Sequence, residues 1–258
     1  VTVMTADGVE EIRYDALVLS PGGQAVRPPL PGLDSPRVRT LRTVDDALAL
    51  RNRVEAGARR AVVLGAGFIG LEAAEALAAQ GLAVSIVELS DHVLPPLERE
   101  LATLVADELV ALGIDLHIAV GASAVEPGGE GDVVVLADGT RIDADLIVLS
   151  VGVRPDTGPF EAAGIACERG AIVVDEHGRT SAPRVWAVGD ATTAVDAVTG
   201  VRRPIALAGP ANRAGRLIAD DILRPGSARA VPSSVGTAIV RVGSLTAALT
   251  GANRAALD

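Results

Sequence analysis

Residues 61–88, AVVLGAGFIGLEAAEALAAQGLAVSIVE, leave a chain few ways to fold. A short apolar run breaks at three glycines, an alanine-rich stretch follows to Gln80 and Gly81, and a second β-branched run ends in Glu88. Three glycines in six positions interrupt any strand, while the Ala/Leu stretch has helical composition and length. The pattern predicts strand, glycine-rich turn, helix and strand, a βαβ unit of about 30 residues. Such units build parallel sheets covered by helices.

Gly65, Gly67 and Gly70 fall in G-x-G-x-x-G spacing at that turn. With 28 glycines in the chain the bare triplet discriminates little, and its strand-to-helix setting carries the reading. Gly65 permits the tight turn, Gly67 lets a pyrophosphate approach the backbone, and Gly70 lets helix and strand pack closely. Ala66, Phe68 and Ile69 complete the loop, whose helix start offers amide donors and the positive end of the dipole. Glu88 is placed to accept hydrogen bonds from adenosine ribose hydroxyls. A carboxylate there repels a 2'-phosphate, and Leu89, Ser90 and Asp91 supply no arginine to receive one, so NADH is expected over NADPH. The plainer alternatives are a merely tight turn and a solvated strand end.

The rest of the chain is read around this unit. Residues 1–5 and 12–19 read as a strand pair about an Asp-Gly turn, and the Pro/Gly-crowded stretch 21–36 as a linker. Thr43-Val-Asp-Asp resembles a capped helix start, with Ala/Leu periodicity to about Glu55. A second amphipathic helix spans roughly 97–112, and short strands follow to Val151. Beyond Pro155 come an extended stretch at 171–175, VWAVGDA, a helix at about 210–223, and a last β-rich stretch, GTAIVRVGSLTAALTG. One segment is written twice: ADGVEEIRYDALVLSPGG at 6–23 and ADGTRIDADLIVLSVGV at 137–153. That offset is too long for a solenoid period and suggests two related domains.

Composition removes several classes of function. The formal charge is -10, which disfavours nucleic acid as a partner. All 23 basic residues are arginine, so no lysine can form a Schiff base. No apolar run approaches the roughly 18 residues of a membrane span, and no signal peptide precedes the first strand, so no membrane partner and a cytoplasmic location are expected. Cys167 stands alone, and His92, His117 and His177 are scattered without ligand spacing, so no disulfide and no metal site is expected.

Five ordered segments, GAGFIGLEAAEAL, LSVGVRPDT, RTSAPRVWAVGDA, LAGPANRAGRLIADDI and GTAIVRV, resemble the pyridine nucleotide-disulfide oxidoreductases. The branch most similar holds coenzyme A-disulfide reductases and NADH oxidases. The resemblance implies an α/β fold: a Rossmann-like NAD-binding domain (43–155) inserted into a related, partial FAD-binding domain (1–42 with its linker, and 156–228), then the start of an α+β dimerisation domain (229–258). It implies FAD and NAD as cofactors. Asp190, after Gly189, would hold the flavin's ribityl hydroxyls; Ser20, Pro21 and Gly22 would pass the flavin's adenosine side; Ala208 would lie at a helix start aimed at the flavin. Gly152 would sit near the nicotinamide, with Glu72 beside it. The repeated segment would then be the β-meander exit from each nucleotide domain.

The family's N-terminal FAD glycine motif and redox cysteine have no counterpart in these 258 residues. Cys167 lies where the family has no catalytic residue, with no adjacent base to lower its pKa, and is expected to be inert. No catalytic residue is therefore assigned. The chain is expected to be a fragment that binds NAD, binds FAD weakly and reduces no disulfide by itself. The intact parent would pass hydride from NADH to FAD and on to a small-molecule disulfide or oxygen, as a homodimer. A cysteine-free NADH:ferredoxin or rubredoxin reductase and a non-catalytic NAD-sensing module are the alternatives.

Overall fold

A computed structural model describes residues 1–257. They form two units, one from Val1–Gly23 and Arg154–Gly236, the other from Gln24–Val153 and the chain from Thr237 onward. In chain order, β1 (Thr2–Thr5), β2 (Gly8–Glu11), β3 (Leu17–Leu19), β4 (Gly23–Ala25) and β5 (Val38–Arg39) lead to α1 (Val44–Glu55). There follow β6 (Arg60–Leu64), α2 (Phe68–Ala79), β7 (Ala83–Val87), α3 (Arg99–Ala111) and β8 (Asp115–His117). Next come β9 (Ala122–Glu126), β10 (Asp132–Leu136), β11 (Arg141–Ala144), β12 (Leu146–Leu149) and β13 (Val153–Pro155). After them are α4 (Gly158–Ala162), β14 (Cys167–Glu168), β15 (Ala171–Ile172), β16 (Val185–Ala187), β17 (Thr193–Val195), β18 (Arg202–Pro204) and α5 (Ala208–Leu223). The hairpin β19 (Ala238–Val242) and β20 (Leu245–Leu249) and a short α6 (Arg254–Leu257) complete the described chain.

The second unit is organised on a parallel sheet of order β5-β12-β6-β7-β8. Its central strands β12 and β6 are near-continuous apolar runs because both faces of the sheet are covered there. Ala61 and Val63 enter a core with Leu71, Ala74 and Leu109, while Val62 and Leu64 enter a second core with Val125, Val134 and Leu136 from the antiparallel β9–β11 sheet. Thr43 caps α1 through a full capping box: Asp46 N–H donates to Thr43 Oγ1 and Thr43 N–H donates to Asp46 Oδ2, both at 3.1 Å.

Three segments sit differently from their sequence reading. β1 pairs with β2 and not with residues 12–19, of which Leu17–Leu19 instead run parallel to β16. The Pro/Gly-rich stretch is no free linker: Leu33 is buried in the sheet's core, and just past the stretch Val38 pairs with Ile147 in the sheet. Ser35 Oγ donates to buried Asp132, and Arg37 joins the same carboxylate at 3.0 Å. Proline and glycine excluded helix here, but docking is decided by partners some 97 residues away, which no local pattern encodes. The final hairpin likewise packs onto the parallel-sheet core of the second unit. Val240 and Val242 join the core beneath α2 and α3, and Ser244 N–H donates to Glu108 Oε1 at 2.6 Å.

In the first unit β3 runs parallel to β16, around a small core of Leu19, Ile165, Ile172, Val185 and Ala187. Nearby, the Thr199 backbone N–H, then the Arg203 guanidinium, hold the Asp196 carboxyl down at about 2. Among the described residues, no helix is long and apolar enough to cross a membrane.

Candidate nucleotide-binding site

β6 delivers the chain to the glycine turn at the carboxyl edge of the parallel sheet, where open α/β folds place their ligands. Gly65 has φ +103°, and a Cβ there would stand 2.5 Å from the carbonyl oxygen of Ser150. Gly70 packs harder still, since its Cβ would come 1.9 Å from the Gly65 carbonyl oxygen. Gly67 differs: a Cβ added to it meets nothing within 4 Å, so its side of the turn is open. Gly67 is also the N-cap of α2 and offers no side-chain cap, so the amides of Phe68 and Ile69 open the helix without an intrahelical partner.

Glu88 follows β7 and is 8% exposed. Its Oε2 accepts from Ala66 N–H at 2.7 Å and its Oε1 from Ser90 N–H at 2.8 Å. The structure thus joins Glu88 directly to the glycine turn. Each carboxylate oxygen has a second acceptor direction, so a buried, oriented acid can still receive ribose hydroxyls. The Leu94 N–H closes the turn from outside on the Ala66 carbonyl at 2.8 Å.

Ser150 is a member that sequence reasoning missed. Its hydroxyl lies 2.9 Å from the carbonyl oxygen of Leu64 and 3.1 Å from that of Gly65, pinning the end of β12 to the turn. The signal was present, because serine ends the apolar run in both copies of the repeated segment. Gly152, two residues on, is exposed at φ +117°, and its carbonyl accepts from Val26 N–H at 2.9 Å. Glu72 is exposed at the fifth position of α2, past the first turn in which an acid would meet the dipole most directly.

The residues expected around a flavin converge within the first unit. Ser20, Pro21 and Gly22 leave the end of β3, and Gly189 and Asp190 leave the end of the adjacent parallel strand β16, with Val188 N–H donating to the Leu19 carbonyl at 3.0 Å. Gly189 adopts φ +87° beside Ala211, in the first turn of the helix that Ala208 begins. That helix start has no side-chain cap. Burial, then the charge of Glu161, pushes the Cys167 thiol up, so nothing here makes it a thiolate nucleophile.

Residues 1–215 match a family model described as pyridine nucleotide-disulphide oxidoreductase. An NADH oxidase of Methanocaldococcus jannaschii is 35% identical over 219 residues, covering 84% of this chain and 49% of that protein. Among solved structures, a NAD-dependent persulfide reductase from A. fulgidus superposes with a TM-score of 0.95 at 34% identity, covering 99% of this chain and 47% of that one. A reduced CoADR-RHD protein from Bacillus anthracis gives 0.91 at 36% identity, covering 96% and 45%. The chain thus spans about half the length of the relatives it matches.

Proposed function

The chain belongs to the pyridine nucleotide-disulphide oxidoreductase family, and on that premise we propose that it carries the NADH site and part of the flavin site of an FAD-dependent NADH oxidoreductase. When bound, NADH would supply a hydride and FAD would accept it, a chemistry that in the whole protein would end at a small-molecule disulfide or oxygen. The observation that carries the reading is the pairing of an uncapped helix start and an open Gly67 with a buried carboxylate fastened to the same turn. Amides and dipole suit the diphosphate, while Glu88 suits the ribose diol. In the first unit, Asp190 suits the ribityl hydroxyls, and the uncapped start of α5 suits negative charge on a reduced ring. Sulfur chemistry is favoured among acceptors by the named activity of the persulfide reductase. The reading extends to a cytoplasmic homodimer in the whole protein.

Isothermal titration tests the nucleotide half. The chain should bind NADH saturably and NADPH at least about tenfold more weakly, since a 2'-phosphate beside Glu88 meets like charge. Leu89 is 77% exposed, so Leu89→Arg gives up little packing and should tighten NADPH about tenfold while leaving NADH within about twofold. Equal affinities for the two nucleotides in the unaltered chain would remove Glu88 from the ribose.

A further inference from the structure

The first unit holds a cavity of about 420 Å³ at the end of β16 and α5 opposite to the residues proposed for flavin. Asp221 in its wall lies thirteen positions along α5 from Ala208, roughly 20 Å of helix axis. Its size lies within the range of small-ligand pockets. Its lining residues include Arg179, Arg184, Trp186, Pro183, Pro225 and Asp221.

This lining is held in place. Asp221, 1% exposed, accepts from Arg179 Nε and Nη2 at 2.8 Å each and from Trp186 Nε1 at 2.9 Å. One buried carboxylate therefore fixes both the arginine plane and the indole, and Arg179 keeps its Nη1 donors. Arg184 sits in the left-handed region at φ +62°, a costly conformation for a long side chain. The sheet enforces it, because Leu17 N–H donates to the Arg184 carbonyl at 3.0 Å. Two guanidinium groups against one carboxylate leave the lining one positive charge in excess, inside a chain of net charge -10. Trp186, Pro183 and Pro225 bring apolar rings to the same lining.

We propose that this cavity binds a small planar aromatic monoanion, its ring against Trp186 and its charge on Arg184 and the outer edge of Arg179. Trp186 is the only tryptophan in the chain and reports occupancy directly. Benzoate titrated into the 258-residue protein should change the Trp186 emission saturably. Arg184→Gly removes the guanidinium where φ already suits glycine, so the melting temperature should hold or rise. In that variant half-saturation should need at least about ten times more benzoate. Benzylamine, with the same ring and the opposite charge, and inorganic phosphate, with charge and no ring, should leave the emission unchanged. A response that never saturates, one unaltered by Arg184→Gly, or an equal response to benzylamine or phosphate would overturn the assignment.

Discussion

Gly65→Ala is expected to weaken NADH binding by more than about a hundredfold and to destabilise the nucleotide unit by about 3 kcal/mol. The backbone at Gly65 has φ +103°, which alone costs an alanine about 1–2 kcal/mol. Its new Cβ would stand 2.5 Å from the Ser150 oxygen, 2.9 Å from the Ser150 carbonyl carbon and 3.2 Å from Val151 N. Those atoms cannot retreat easily. Ser150 N–H donates to the Leu64 carbonyl at 2.8 Å, continuing the parallel ladder, and its hydroxyl grips the same turn. Whatever shifts will move the Ala66 N–H off Glu88 and misalign the amides of the helix start. Gly67→Ala is the informative partner. Its φ of -78° suits any residue and its Cβ meets open space, so urea unfolding should change by less than about 1 kcal/mol. That open space is where the diphosphate would lie, and a methyl group there should still cost NADH about tenfold or more by isothermal titration. An unaltered NADH affinity in Gly67→Ala would place the diphosphate elsewhere.

What the sequence disclosed and what it hid divide along sequence distance. The βαβ unit was legible because glycine, alanine and β-branched residues sort themselves within a window of about 30 positions. The α1 start was legible because Thr43 and Asp46 complete their box three residues apart. The helix expected at 97–112 lies at Arg99–Ala111, and the one expected at 210–223 begins two residues earlier at Ala208. Hidden were the fasteners. Ser35 and Arg37 meet Asp132 across more than ninety residues, and Glu108 meets Ser244 across 136. Residues 21–36 and the last hairpin therefore read as linker and new domain, though the chain from Gln24 and the hairpin belong to the unit that holds the parallel sheet. In the site itself the glycines and Glu88 were visible as a motif. The Ala66–Glu88 bond and the Ser150 brace were not, since a motif specifies residue types and not which oxygen meets which amide. Arg179, Trp186 and Asp221 illustrate the same limit, because their network joins a turn, a strand and a helix end.

The repeated segment yields the other large effect, because Asp15 and Asp145, which precede its two apolar runs, have different surroundings. Asp15 is exposed, and Asp15→Ala should stay within about 0.5 kcal/mol. Asp145 instead fastens two strands where they begin. Its Oδ2 accepts from Arg59 N–H and Arg60 N–H, both at 2.9 Å, and its Oδ1 from Arg60 Nη2 at 2.7 Å. The Arg60 guanidinium first, then the two backbone amides, outweigh partial burial and hold the Asp145 carboxyl at about 2, below its usual 3.8. A depressed carboxylate stabilises the fold above its unfolded value, and that contribution is lost as pH falls toward the folded value. The depression corresponds to roughly 2 kcal/mol, fully present above about pH 5 and gone below about pH 2. Asp145→Asn, which also turns an acceptor into a donor facing two amides and a guanidinium, should cost about 3 kcal/mol near neutrality. Urea titrations of both proteins across the acid range should show that gap narrowing steadily between about pH 5 and pH 2, because the unaltered protein loses what the variant never had. Asp196 is also held at about 2 but belongs to the other unit and is common to both proteins, so it cancels in the difference. A gap that stays constant down to pH 2 would mean that the Asp145 charge contributes nothing, and that its hydrogen bonds alone hold β6 and β12 in register.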